Sequence, residues 1–476
     1  YQIDELDRHR TQSAHELRNA REAADAVFAQ IGGKADTGEG PLEEGSIEWE
    51  NLQKTKSFIE QNLKNSESDP SKELERARDL HHLAQIDARL GNSEAARDRL
   101  KQAVGAFETV LAERSNEPKV VADCEARLAD CHETLAGMMD QDFGEERLHE
   151  LKEAARLLKR LGELRPQDAQ LAMRRLGADF RLGRQLHEHR DFPSALATFT
   201  SVGAQLDRQI KGEPESRPLR EMVAEVQYHS ALTLREVGRT KEAADAFTAA
   251  METITELCGD LPPTEEQCVR LGGIYADLGE MFSGQATDEE CGQLLNEACR
   301  LLNPVHDRRP EHLETAITLG RALSRLALID QRANRWSDGY KMSVSAVEGV
   351  EKALESDPSS IEGRLTLIEL RGNHLELVKY QRGTAKKILT KGFDMAESVR
   401  EDLDAAVTLP RAIRDGWRLR LAGLYETYGN VSKALGDDEK ARLCHERANQ
   451  AREVLVTQGP VQEVAPTVEA TRAESL

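Results

Sequence analysis

The chain has 476 residues, with 64 Lys and Arg against 85 Asp and Glu, a net charge of −21 and a pI near 5.2. That length exceeds one ordinary core, and 4% aromatic content with Ala, Leu, Glu and Arg dominant favours helices over sheets, so an all-α protein is expected. The acidic excess disfavours nucleic acid and anionic membrane surfaces as partners, and no apolar run approaches the ~20 residues of a membrane span, so no direct membrane insertion is expected.

Along the chain, residues 1–31 read as one long helix, because Leu17, Ala20, Ala24, Val27 and Ile31 recur at spacings of three and four, with Ile3 and Leu6 in register. Its start at Tyr1, without an apolar signal core, suggests a processed or excised piece of something longer. Gly32-Gly33 ends the helix, and 32–45 is an acidic, Gly-rich loop. From 46 to 456 the pattern becomes pairs of helices broken at short turns. Three segments align without gaps, each with a small residue (Ala84, Ala231, Gly429), a turn glycine seven later (Gly91, Gly238, Gly436), an alanine five further (Ala96, Ala243, Ala441) and another seven further (Ala103, Ala250, Ala448). A fourth copy keeps Gly183, Phe192, Ala195 and Phe199 but has Arg190 at the turn. Small residues let two helices cross closely, glycine reverses the chain, and Leu100 or Phe247 fills the gap between neighbouring pairs. After Gly459 two prolines and no helical period point to a disordered tail, which spans 457–476.

These positions resemble the tetratricopeptide repeat, with weaker matches around 129–161, 272–304, 320–346 and 365–395. The resemblance implies a right-handed α-solenoid of stacked antiparallel helix pairs, about eight of them. The small residues Ala96, Ala195, Ala243, Gly339 and Ala441 imply a period of 45 to 50 residues rather than the family's ~34, so longer helices are expected. The N-terminal layout, ELRNAREAADAVFAQIG, an acidic loop, then LHHLAQIDARLG, is also similar to repeat regions that follow the membrane helix of planctomycete-type serine/threonine protein kinases. That similarity implies an alternative function, the regulatory or sensory region of a membrane-anchored kinase. It also sets the alternatives for location, cytoplasmic or periplasmic and tethered.

Groove positions implied by the repeat family are Arg78, His81 and Gln85; Arg184 and His187; Tyr228 and Arg235; and Asn430 and Lys433. They suit backbone and carboxylate recognition, so a protein or peptide partner is expected, an acidic one included, with assembly into a larger complex. The asparagine clamp for chaperone C-termini is not reproduced, since Gln85 and Leu232 stand in its place. Lys379, Arg382, Lys386, Lys387 and Lys391 form a basic strip, readable as an acidic docking surface or as a face neutralised by neighbouring carboxylates. Arg174, Arg175, Arg181 and Arg184 form a second basic run.

Chemistry is not expected, and neither is a cofactor. Asp142-Phe143-Gly144 and His189-Arg190-Asp191 spell kinase signatures in reversed order, with Leu196 where the catalytic asparagine belongs, and read as inter-helix turns. Cys124, Cys131 and His132 have no zinc spacing, since seven helical residues put the thiols ~10 Å apart, so no metal site is expected and they read as core residues. Cys258 and Cys268 bracket a Pro-Pro loop and could close as a disulfide in an oxidising compartment.

Overall fold

A computed structural model describes residues 42–66, 72–139, 144–259, 261–283, 286–379, 381–406 and 409–457. The expected long helix at 1–31, nearly all of the acidic loop and the tail beyond 457 lie outside them. Among the described residues there are seventeen helices and no strand: α1 (Ile47–Ser66), α2 (Glu73–Arg89), α3 (Ser93–Glu113), α4 (Pro118–Gly137), α5 (Gly144–Leu164), α6 (Ala169–Glu188), α7 (Phe192–Gly212), α8 (Arg217–Glu236), α9 (Thr240–Cys258), α10 (Glu265–Met281), α11 (Asp288–Arg308), α12 (Leu313–Arg332), α13 (Trp336–Leu354), α14 (Ile361–Val378), α15 (Arg382–Ala405), α16 (Arg411–Ala434) and α17 (Asp438–Thr457). From α2 onward the even-numbered helices are first members of antiparallel pairs and the odd-numbered ones second members. First helices begin at 73, 118, 169, 217, 265, 313, 361 and 411, a step of 45 (73 to 118) to 51 (118 to 169) residues. The architecture is an all-α, tetratricopeptide-like array of stacked helix pairs with long helices.

Local chemistry sets the helix limits. Thr264 and Thr287 cap α10 and α11 in reciprocal capping boxes with Gln267 and Glu290, while the Asp191 carboxylate accepts from Ser194 N–H at the start of α7. Pro118, Pro193 and Pro218 stand in first turns, where their missing N–H is not needed. Gly91, Gly238 and Gly436 reverse the chain with φ near +80°, and Arg190 (φ 60°) and Asn334 (φ 59°) adopt the same left-handed conformation at corresponding turns.

Two compact units divide the chain, Tyr1–Leu182 and Gly183–Leu476, with the division inside α6. Apart from α6, through which the division runs, a first helix packs against its own second helix, and second helices against the first helix of the following pair. The buried residues are those that the repeat pattern singles out: Ala84, Ala96, Leu100 and Ala103 in the first unit, and Ala195, Phe199, Ala231, Ala243, Phe247, Ala250 and Ala448 in the second. Close crossing is literal at Gly183, where a Cβ would lie 2.6 Å from the Phe199 ring.

Candidate functional site on the first-helix face

Within each unit, successive first helices present a shared face, and their polar residues meet across it. In the first unit Arg78 of α2 pairs with Asp123 of α4 at 2.7 Å, and Glu133 of α4 receives both Arg174 and Arg181 of α6, with Asp130 also on Arg174. Arg175 turns instead to Asp179 on its own helix, 3.7 Å away. In the second unit Arg270 of α10 pairs with Glu225 of α8 at 2.8 Å and Arg235 of α8 with Asp277 of α10. Arg325 of α12 reaches Glu280 of α10 at 2.8 Å, and Arg321 reaches Glu362 of α14 at 2.8 Å. Arg420 of α16 closes the series on Glu362 and Glu369 of α14, at 2.7 and 3.0 Å. Partners lie 41 to 48 residues apart along most of this ladder, about one repeat.

Between α8, α10 and α12 the face opens into a cavity of about 130 Å³. Leu232, Ala276, Leu295 and Ala322 give it apolar surface; Tyr228, Arg235, Asp277, Glu280, Thr318, Arg321 and Arg325 give it polar surface. Gly273 leaves room there, since a Cβ on it would stand 3.4 Å from the Tyr228 hydroxyl. Tyr228 lies under the Arg270 guanidinium, 4.6 Å from ring centroid to Cζ, and edge-on to Phe247. Burial pushes its phenol well above the ordinary value, so the hydroxyl keeps its proton. Burial pushes the Asp277 carboxyl up against the pull of Arg235, whereas Arg325, Arg321 and Arg235 hold Glu280 below the usual carboxylate value despite burial.

The groove residues expected from the family fall into three groups. Tyr228 and Arg235 line the cavity, and Arg78 is a rung of the ladder. Arg184, Asn430 and Lys433 are exposed and Gln85 is half-buried. His187 and His81 are structural: His187 shares a hydrogen bond with Thr233 of α8 at 2.9 Å, and burial lowers its pKa. His81 is corrected from groove to core, because its ring is buried against Phe107 and stacked on His82, between α2 and α3. The family register did not find Asp277, Glu280, Arg321 and Arg325, which sit in the weakly matching pairs and read in sequence as solvated helix faces.

Of the basic strip, Lys379 ends α14 and pairs with Glu376 at 3.0 Å, so it is not part of the helical stripe. Arg382, Lys386, Lys387 and Lys391 share α15, are exposed, and find no carboxylate partner among the described residues. Lys440 of α17 joins them, 3.5 Å from Thr390 and over the Phe393 ring. Cys258 and Cys268 are free thiols, Cys258 near Gln267 Oε1 and Cys268 near the Pro263 carbonyl. Cys124 and Cys131 are buried core residues, and His132 Nδ1 stands 2.5 Å from Glu150. His189–Asp191 forms the α6–α7 turn; Asp142 and Phe143 lie outside the described residues.

No family model matches the chain, and no curated protein does. Among solved structures, it is similar to a signal-transduction ATPase with numerous domains and a tetratricopeptide repeat sensor from Pyrococcus horikoshii, at 12% identity and TM-score 0.46, over 87% of this chain and 55% of that one. It is also similar to a Rap protein complexed with competence and sporulation factor, at 14% identity and TM-score 0.43 over 94% and 99% of the two chains. A third is the apo quorum sensor NprR from B. thuringiensis, at 11% identity and TM-score 0.40 over 81% and 99%. The kinase similarity read in the sequence finds no support among them.

Proposed function

We propose that the chain is a non-enzymatic scaffold that holds a protein or peptide partner on its first-helix face. The observation that carries this reading is the cavity between α8, α10 and α12, where three consecutive first helices contribute donors, acceptors and apolar surface at one place. Its side chains are held by the ladder, so little ordering is lost when a ligand binds. Exposed Arg184 on this face, and Arg382, Lys386 and Lys387 of α15, are the cations available to an acidic partner. Photo-crosslinking residues placed at Thr318 on this face and at Glu297 on α11 test the reading in the native cell. Partner crosslinks at 318 and not at 297 support it; crosslinks confined to 297 overturn it.

A further inference from the structure

The lining of the α8–α10–α12 cavity nearly balances its charges. Arg235, Arg321 and Arg325 supply three positive charges. Asp277 and Glu280 in the lining, Glu362 bonded to Arg321 and Glu236 bonded to Arg235 supply four negative ones. The group is within one charge of neutral. Its bonding capacity is not exhausted, however. Arg325 uses only Nη2, on Glu280 Oε1, and Arg321 only Nη2, on Glu362 and Thr366. Asp277 accepts on Oδ1 alone and Glu280 on Oε1 alone. The remaining N–H groups of these two arginines, the Tyr228 hydroxyl and the second oxygens of both carboxylates bond to no other described residue.

An entering carboxylate would add to the negative charge and has no donor for the second oxygens of Asp277 and Glu280, and an entering ammonium has no acceptor for the unused N–H groups of Arg321 and Arg325. Either leaves polar groups unmet in a site partly withdrawn from water. A neutral group that both donates and accepts meets both kinds of unused valence. About 130 Å³ is the room of roughly four water molecules, enough for a carboxamide and its methylene. Taking the binding face proposed above as the premise, we infer that the cavity takes the side-chain carboxamide of an Asn or Gln residue in a bound peptide, its oxygen toward Arg321 and Arg325 and its NH2 toward Asp277 and Glu280.

The test uses three probes of one backbone: the N-acetyl, N-methylamide derivatives of glutamine, glutamate and lysine, titrated against the full chain by ligand-observed NMR. The glutamine probe should bind at least fivefold more tightly than the other two. Gly273→Ala, which sets a methyl against the Tyr228 hydroxyl, should weaken it at least fivefold without lowering the melting temperature. Glu280→Gln removes one negative charge and should reverse the order, so that the glutamate probe binds better than the glutamine probe. Equal or tighter binding of the glutamate probe to the unaltered chain overturns the proposal, and so does absence of binding by the glutamine probe. The partner-binding reading is judged separately by the crosslinks. Failed titrations with successful crosslinks sink only the carboxamide, and the converse sinks only the partner surface.

Discussion

His229 of α8 is stacked on Phe199, with Glu225 3.7 Å from its Nε2. Burial first, then Arg184 and Arg270, hold its pKa down to about 2. The folded value lies below the unfolded one of ~6.5, so the fold favours neutral imidazole: the associated stability is complete above pH 6.5 and is lost as pH falls below it. At pH 5 the expected loss is about 2 kcal/mol relative to pH 8, since one pKa unit is ~1.4 kcal/mol. His229→Gln should flatten the fall in melting temperature between pH 7 and pH 5; an unchanged slope would contradict it. Arg235 is equally specific. Because it bonds Asp277, Arg235→Glu should lower the melting temperature by opposing two carboxylates, whereas Arg184→Glu, on an exposed site, should leave it within about 0.5 kcal/mol of the parent's stability. Arg184, exposed though it acts on His229, is therefore the residue at which charge reversal reports on an acidic partner with the smaller change to the fold.

At the scale of the helix, neighbours are locked by contacts with no slack. A Cβ on Gly392 of α15 would come within 2.0 Å of the Tyr428 hydroxyl, which is buried and donates to the Ile368 carbonyl of α14 at 2.9 Å. Gly392→Ala should cost about 3 kcal/mol, read as a drop in chemical-denaturation midpoint, because Tyr428 cannot retreat without losing that bond. Glu133, shared by two arginines of α6, should cost about 1 to 2 kcal/mol on replacement by Ala, which strands Arg181 and leaves Arg174 on Asp130 alone. The helices themselves were legible in sequence wherever glycine or alanine marks a crossing. The ladder was not, because Asp277 or Arg325 on an isolated helix looks like any charge facing solvent, and only the 42- and 45-residue offsets to Arg235 and Glu280 give it meaning. His81 shows the converse. It occupies the register of Tyr228, three residues before the small residue of its repeat, but its shorter ring ends against Phe107 and does not reach the face. Arg190 and Asn334 show why the glycine rule identified only some turns: a left-handed φ is what the turn requires, and other residues can meet it at a cost of about 1 to 2 kcal/mol.

Across the whole molecule, circular dichroism should report helix far above the globular average of about one third. Within each unit, helices touch mainly their immediate neighbours in the stack, so stability is divided among local interfaces. Removing α16 and α17 should expose Leu403, Leu389 and Val399 of α15 yet leave the helical signal of the remaining pairs in place. Loss of the entire helical signal on that truncation would contradict a stack of pairs. A period of 45 to 50 residues was legible from five small residues, against the 45 to 51 of the structure, whereas the division into two units inside α6 left no mark in the sequence, since α6 is continuous through it.

The ladder also bears on how such a chain can change its length over generations. Arrays of like units grow and shrink by gaining or losing a whole unit, which requires any unit to fit beside any other. Here they do not. Loss of α12 and α13 would remove Arg321 and Arg325 and bring Asp277 and Glu280 of α10 to face Glu362 and Glu369 of α14, four carboxylates with Arg235 and Arg420 alone to answer them. The order of the pairs is thereby written in complementary charges, and an internal copy cannot be dropped or shuffled without rewriting its neighbours on both sides.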